Sequence, residues 1–183
     1  QSERVLDLGC GQGAVGFAIA AYLLAKEVYS FDIQFPLLKN LSYSLQVNSI
    51  NNFFLINGDY NYLSNLFPLN FFDNIYFNPP FYSSGRVSKN LSQAKSFFRK
   101  EFSLINIFKN AWAILKPKGN LLIVYPADKI FLLANDLMNS KFKIEEIILY
   151  SSNNKKNIIK LCIIIAKKEG NINLKIKNFK PAI

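Results

Sequence analysis

The chain of 183 residues has no histidine, a single methionine and a single tryptophan, and only two cysteines, Cys10 and Cys162. Without histidine, a zinc site made of cysteine and histidine ligands is excluded, and we expect no bound metal. Two separate thiols do not suggest a disulfide framework and are typical of a reducing compartment, so we expect a cytoplasmic protein. Because no histidine can act as its basic partner, Cys10 is interpreted as a small loop residue and not as a nucleophile.

Charged residues are missing from Leu8 to Ala25, which is close to the length of a membrane span. The stretch contains four glycines, however, and its continuously apolar part, residues 17–25, is too short to cross a bilayer. No basic region precedes it, as one does in a signal peptide. We therefore interpret it as a glycine-rich loop followed by a buried helix, and we expect no membrane partner.

Basic residues are scarce in the first part of the chain and abundant in the second. Residues 1–77 carry three basic and six acidic side chains, a net charge of -3, whereas residues 78–183 carry nineteen basic and six acidic ones, a net charge of +13. If the lysines reflected only a biased composition, the first part of the chain would be enriched in lysine as well, and it is not. The asymmetry indicates that the second part contacts a polyanion.

Apolar stretches of strand length alternate with stretches of helical period. The predicted strands are nearly continuously apolar and span residues 4–8, 28–31, 53–56, 72–77, 121–125, 144–149 and 158–166. The predicted helices cover residues 14–26, a segment that begins at Pro36, residues 98–115 before Pro117, and residues 130–137. This alternation predicts an α/β fold: one Rossmann-like, doubly wound domain over residues 1–183, with a mostly parallel seven-stranded sheet and an antiparallel last strand.

Glycines and polar residues lie at the ends of the first four predicted strands, where open α/β sheets bind ligands. They are Asp7, Gly9, Gly11 and Gly13 at the first strand, and Asp32, Asp59 and Asn78 at the next three. Glycines let the backbone approach a ligand closely. Asp32 is placed to bind ribose hydroxyls, and Asp59 can accept a hydrogen bond from an adenine amino group.

Residues 11–16 also spell the GxGxxG pattern of dinucleotide-binding enzymes, and Asp32 follows at a suitable distance. Alone this match is weak. Asp7 extends it to D-x-G-x-G-x-G, and the fourth strand ends in the sequence Asn-Pro-Pro-Phe over residues 78–81. A hydride-transfer site explains neither feature.

The tetrapeptide Asn78-Pro79-Pro80-Phe81 combines rigidity with hydrogen-bond acceptors. Proline fixes φ at about -65°, lacks an N–H and holds the preceding residue in extended geometry. The bend therefore offers the Asn78 side-chain oxygen and the Pro79 carbonyl beside the aromatic face of Phe81. This set suits a planar ring with an exocyclic amino group. The alternative is a proline-rich turn in which Asn78 only caps a strand.

The sequence resembles the class I S-adenosylmethionine-dependent methyltransferases. Residues 5–13 resemble the first motif of that superfamily, and residues 78–81 resemble the signature of enzymes that methylate amino groups of adenine or of glutamine amides. More narrowly, residues 32–34, residues 78–81 followed by Gly85, and residues 98–101 and 173–176 are similar to the bacterial tRNA1(Val) (adenine-N(6))-methyltransferase family. The resemblance covers nearly the whole chain. That family usually has a further N-terminal segment, which we expect in the parent protein.

The resemblance implies S-adenosylmethionine as the cofactor and Asn78, Pro79, Pro80 and Phe81 as the catalytic residues. Hydrogen bonds to Asn78 and to the Pro79 carbonyl would aim the amino nitrogen at the methyl group, and Phe81 would stack on the base. The residues expected to bind the cofactor are Asp7, Gly9, Gly11, Gly13, Asp32, Asp59 and Asn78.

An aromatic residue and five basic residues follow this motif and form the expected RNA contact: Tyr82, Arg86, Lys89, Lys95, Arg99 and Lys100. Phosphate contacts of this type position RNA but carry little sequence information. Alternatively, the basic residues belong to a solvated loop and the start of a helix and do not contact RNA. Tyr82 can equally pack in the core.

The expected function is methylation of an adenine amino group in structured RNA, in particular tRNA, by a protein for which a monomer is favoured. A protein-glutamine N-methyltransferase is the second hypothesis, because its acceptor is also an amide NH2. A non-catalytic, cofactor-binding RNA module is the third. The basic second part favours RNA over protein, and Asn78 argues against a module without turnover.

Overall fold

A computed structural model of the chain describes residues 2–22, 24–79, 103–151, 159–170 and 173–179. The strands in this part are β1 (Ser2–Leu8), β2 (Ala25–Asp32), β3 (Phe53–Asn57), β4 (Phe72–Phe77), β5 (Leu115–Pro126), β6 (Phe142–Ser151), β7 (Ile159–Lys168) and β8 (Lys175–Phe179). The helices are α1 (Ala14–Ala21), α2 (Phe35–Val47), α3 (Leu63–Leu66), α4 (Leu104–Ile114) and α5 (Ile130–Asn139), with short 3-10 helices at Tyr60–Tyr62 and Ala127–Lys129. No helix in these ranges is long and apolar enough to cross a membrane.

The eight strands form one sheet in the order β3-β2-β1-β4-β5-β7-β6-β8. β7 pairs antiparallel with both β5 and β6, whereas the other neighbouring pairs are parallel. The predicted doubly wound α/β fold, with a mostly parallel sheet and an antiparallel seventh strand, is confirmed. The strand order reverses at β1, because β2 and β3 lie on one side of it and β4 on the other. Ligands of such sheets bind at this point, beyond the carboxyl ends of the strands.

The eighth strand, β8, was not predicted, so the expected count of seven strands is wrong by one. β8 pairs with β6 at the edge of the sheet, and all five of its residues are exposed. An edge strand needs no buried apolar run, and lysines on it discourage pairing with other chains. Its sequence, Lys-Ile-Lys-Asn-Phe, therefore lacks the apolar signal that identified the other strands.

Helices pack on both faces of the sheet and fix the positions of the strand ends. Alternate residues of a strand point to opposite faces, and Val5 and Leu6 of β1 accordingly belong to different core clusters. α1 contributes Ile19 to the smaller cluster with Val5, whereas α4 contributes Phe108 to the larger cluster with Leu6. This arrangement makes the strand ends a rigid support for the loops that follow them.

The predicted start of β5 and the predicted end of α1 are wrong. α4 ends at Ile114, one residue before its predicted end, but β5 begins at Leu115 and not at residue 121. Lys118 has a φ of 64°, and a Cβ on Gly119 would lie 2.8 Å from the Asp73 carbonyl oxygen, so residues 116–119 form an irregular part of β5 packed against β4. Likewise, α1 ends at Ala21 because β2 already begins at Ala25.

Candidate functional site

The turn between β1 and α1 contains three glycines in the left-handed region, with φ of 69° at Gly9, 56° at Gly11 and 78° at Gly13. The N–H groups of Gly9 and Cys10 donate to the Phe31 carbonyl at 2.8 and 3.1 Å, which bends the turn over the end of β2. Residues with a side chain rarely adopt this left-handed backbone geometry, whereas glycine does so readily. We call residues 9–13 the glycine turn.

Asp7 joins the end of β1 to the first turn of α1. Its side chain is 4% exposed, and its Oδ2 accepts a hydrogen bond from the Gly16 N–H at 2.8 Å. Burial raises the pKa of Asp7 to about 6; the Gly16 N–H opposes this rise and the nearby Asp32 carboxylate adds to it. A Cβ on Gly16 would lie 2.7 Å from the Ser30 hydroxyl oxygen, so this close packing leaves no room for a side chain at position 16.

The Cys10 thiol lies in the same buried region. Burial raises the pKa of Cys10 to about 12, and the Asp7 and Asp32 carboxylates add to the rise. A thiol with such a pKa stays protonated at neutral pH, and the thiolate is the reactive form. The environment of Cys10 therefore supports its interpretation as a loop residue that is not a nucleophile.

Asp32 links the glycine turn to α2 through both of its carboxylate oxygens. Oδ2 accepts a hydrogen bond from the Gly11 N–H and Oδ1 accepts one from the Gln34 N–H, each at 2.8 Å. The residue is 2% exposed. A carboxylate has about four lone-pair positions, so the predicted contact with ribose hydroxyls would use those that remain.

Asp59 and Tyr60 complete this edge of the sheet after β3. The Oδ1 of Asp59 accepts a hydrogen bond from the Asn61 N–H at 2.8 Å and caps the 3-10 helix Tyr60–Tyr62. The Tyr60 hydroxyl oxygen lies only 3.1 Å from where a Cβ on Gly9 would be, which places the buried ring against the glycine turn. Tyr60 was not among the predicted site residues, although its position directly after Asp59 was an available signal.

Asn78 and Pro79 follow β4 beside the glycine turn. In the parallel pair of β1 and β4, Leu8 lies opposite Phe77, so Gly9 and Asn78 leave neighbouring strand ends. Asn78 is exposed and Pro79 is buried. The buried proline anchors the bend, while the asparagine amide remains accessible at the switch point.

The rest of the predicted catalytic and RNA-contacting set lies outside the described residues. It consists of Pro80, Phe81, Tyr82, Arg86, Lys89, Lys95, Arg99 and Lys100. Among the predicted site residues that are described, the fold brings Asp7, the glycine turn, Asp32, Asp59 and Asn78 to the same edge of the sheet.

The residues at this edge have the chemistry that a cofactor with an adenosine group requires. A Cβ on Gly11 would meet no atom within 4 Å, so the backbone there borders open space. Asp32 and Asp59 supply acceptor oxygens at adjacent strand ends, and a ribose and an adenine amino group supply donors. Glycine in the left-handed region permits the close backbone approach that such a cofactor needs.

The sequence matches the methyltransferase small domain family over residues 1–159, and the chain belongs to this family. As a member of this family it is a methyltransferase, and the family indicates S-adenosylmethionine as its cofactor. A comparison with curated proteins gave no match.

Solved structures share the fold at low sequence identity. A predicted O-methyltransferase from Agrobacterium tumefaciens has a TM-score of 0.72 and 19% identity, with 98% of this chain and 79% of that chain covered. A SAM-dependent methyltransferase from Aquifex aeolicus has a TM-score of 0.65 and 14% identity, covering 91% and 82%. TrmN from Thermus thermophilus has a TM-score of 0.65 and 18% identity, covering 91% of this chain and 44% of that chain. At these identities the likeness shows the fold alone.

Proposed function

We propose that this protein transfers the methyl group of S-adenosylmethionine to the exocyclic amino group of an adenine in structured RNA, in particular tRNA. The observation that carries the proposal is the exposed Asn78 after β4, beside the glycine turn and followed by the buried Pro79. This position suits an amide oxygen that accepts a hydrogen bond from an amino group brought to the cofactor.

The Asn78 side-chain oxygen and the Pro79 carbonyl would act as acceptors for the two N–H bonds of the amino group. An exocyclic amine is a poor nucleophile because its lone pair is delocalised into the ring. Two acceptors held by a rigid bend favour a pyramidal nitrogen and orient its lone pair. They also stabilise the positive charge that develops on this nitrogen more strongly than they stabilise the neutral amine, which is the differential binding that catalysis requires.

The glycine turn, Asp32 and Asp59 would hold the cofactor. When bound, S-adenosylmethionine supplies an electrophilic methyl group on a sulfonium centre. The protein itself must then position the acceptor amino group. Phe81, which lies outside the described residues, remains the predicted stacking partner of the base.

The charge distribution supports RNA as the acceptor. Residues 78–183 carry a net charge of +13, whereas residues 1–77 carry -3. A net positive charge of this size suits a phosphate backbone, and contacts between basic side chains and phosphates weaken as salt is added because counterions are released. A glutamine side chain in a protein acceptor requires no such charge.

Transfer of labelled methyl groups tests the proposal directly. The full chain is incubated with labelled S-adenosylmethionine and, in parallel, with total tRNA, with duplex DNA and with purified translation release factors. We expect label in tRNA, recovered after nucleoside digestion as N6-methyladenosine. Label that enters only protein, or only another nucleoside, would overturn the proposal.

A further inference from the structure

A small cavity lies at the edge of the sheet opposite the glycine turn. Its volume is about 300 Å³, and its lining residues are Lys109, Trp112, Asn139, Ser140 and Lys141. They come from the carboxyl-terminal part of α4 and from the end of α5 and the turn after it. We call this cavity the Trp112 pocket. Its volume is at the lower end of the range for small-molecule sites.

The indole of Trp112 is in contact with two ammonium groups. The Nζ of Lys168 lies 4.1 Å from the ring centroid and the Nζ of Lys141 lies 5.3 Å from it. Lys168 is buried and fixed, because its Nζ donates to the Leu115 carbonyl at 2.7 Å and to the Asn70 side-chain oxygen at 2.8 Å. Lys141, in contrast, is exposed and has a long flexible side chain.

Lys109 adds a second exposed ammonium group to the same pocket. It precedes Trp112 by three residues on α4, so both side chains lie on one face of the helix. Among the described residues, neither Lys109 nor Lys141 forms an ion pair with a carboxylate. The pocket therefore combines an aromatic face, two available positive charges and the exposed amide of Asn139.

This combination suits a ligand that carries both a flat ring and an anion. A nucleobase can stack on an aromatic side chain whatever its identity, because every base has a π-face. A phosphate group pairs with ammonium groups, and the amide of Asn139 can donate to or accept from the edge of a base. Lys141 would move from the indole to the phosphate as the base takes its place, since its charge interacts more strongly with an anion than with a ring.

We propose that the Trp112 pocket binds a nucleotide, with the base against the indole and the phosphate at Lys109 and Lys141. The nucleotide is either a free mononucleotide or one unit of an RNA chain. In the second case the pocket is an RNA contact remote from the methylated base, and that part of the inference rests on the proposed function.

Fluorescence of the single tryptophan reports on this pocket alone, because Trp112 is the only one in the chain. The full chain, with saturating S-adenosylhomocysteine to occupy the cofactor site, is titrated with AMP, adenosine and inorganic phosphate in separate experiments. We expect saturable quenching by AMP at lower concentration than by adenosine, and no quenching by phosphate alone. Absence of quenching by AMP, or equal competition by inorganic phosphate, would overturn the nucleotide assignment.

Two exposed lysines provide the variants and a third provides the control. The double variant Lys109→Ala, Lys141→Ala should weaken AMP binding about tenfold, because two exposed ion pairs with the phosphate are lost while the contact of the base with the indole is kept. Lys39→Ala removes an exposed lysine from α2 and should leave binding unchanged. If the double variant bound AMP as well as the unaltered chain, the pocket would not be the site.

A short oligoadenylate distinguishes the two sources of the nucleotide. If the RNA chain is the ligand, the oligonucleotide should quench Trp112 more strongly than AMP, and the double variant should have a smaller salt dependence of binding. Stronger quenching by AMP than by the oligonucleotide would assign a free mononucleotide. This measurement does not use methyl transfer, so a failure of the proposed function and a failure of the pocket give different results.

Discussion

Asp7 and Lys168 are nearly fully buried ionisable side chains at opposite edges of the sheet, with 4% and 3% of their surface exposed. Burial raises the pKa of Asp7 to about 6 and lowers the pKa of Lys168 below its ordinary value. The main cause is the same, since burial disfavours the charged form of either group.

The surroundings of the two groups differ. Lys168 donates to two oxygen acceptors and lies over the Trp112 ring, so its charge is compensated locally. Asp7 accepts from the Gly16 N–H and lies near a second carboxylate, Asp32. Unfavourable electrostatics therefore accumulate at the edge with the glycine turn, whereas the buried charge at the opposite edge is compensated by its own contacts. We expect substitutions at the first edge to change activity, and those at the second to change stability.

The largest expected effect is on turnover, from a substitution at the edge with the glycine turn. Asn78→Ala should lower kcat by about 100- to 1000-fold, as the loss of a hydrogen-bond partner of the transition state does elsewhere. Although Asn78 is also among the predicted cofactor contacts, cofactor affinity should change little, because we place the main role of the exposed amide at the acceptor amino group. Single-turnover methyl transfer and calorimetric titration with S-adenosylmethionine measure the two quantities. Asn78→Asp, which keeps the acceptor oxygens, serves as the matched control; a parallel loss of cofactor affinity in Asn78→Ala would contradict the assignment.

Asp7 should make stability depend on pH. Its pKa rises from 3.8 to about 6 on folding, so between these values the folded state binds a proton that the unfolded state does not. Stability must then fall as pH rises through this window, by about 3 kcal/mol in total. Asp7→Asn keeps an acceptor oxygen for the Gly16 N–H, so it should abolish this slope and be more stable at neutral pH.

Urea unfolding at a series of pH values measures this slope. Asp128→Asn, which alters an exposed carboxylate, is the control and should keep the slope of the unaltered chain. An unchanged slope in Asp7→Asn would show that Asp7 does not cause it.

Lys168→Met should lower the free energy of unfolding by about 1–3 kcal/mol, because it leaves the buried Leu115 carbonyl and the Asn70 side-chain oxygen without their donor. Methionine has a similar length, so the cavity term is small. Chemical denaturation of this variant and of Lys141→Met, whose lysine is exposed, makes the comparison. We expect methyl transfer by Lys168→Met to stay normal under folding conditions. Unaltered stability would show that these contacts of the Lys168 ammonium group do not stabilise the fold.

The smallest expected effect on stability is that of Gly11→Ala. A side chain at this left-handed position costs about 1–2 kcal/mol, although a Cβ there would touch nothing within 4 Å. The methyl group would instead occupy the space proposed for the cofactor, so affinity for S-adenosylmethionine should fall more than stability does. Thermal unfolding of the variant with and without cofactor tests this. If the cofactor raised the unfolding temperature of the variant as much as that of the unaltered chain, the cofactor would bind elsewhere.

Sequence patterns predicted β4 with its observed bounds, because buried strands need continuous apolar runs. They predicted the antiparallel pairing of β6 and β7 because the polar residues 151–156 are typical of a hairpin connection. They could not predict β8, which buries no residue, or the start of β5 directly after α4 at Leu115. There the apolar period continues into the next strand, and contacts of Gly119 with β4 decide the boundary.

The order of residues along the chain determined the alternation of strands and helices, the glycine turn and the separation of charge. These features depend on local geometry and composition, which a single segment carries. The tertiary structure decided that Asp32 holds Gly11, that Tyr60 lies against Gly9, and that Lys168 bonds to Asn70, 98 residues away. Such contacts depend on strand order and register, because only the assembled sheet brings distant residues within hydrogen-bond distance.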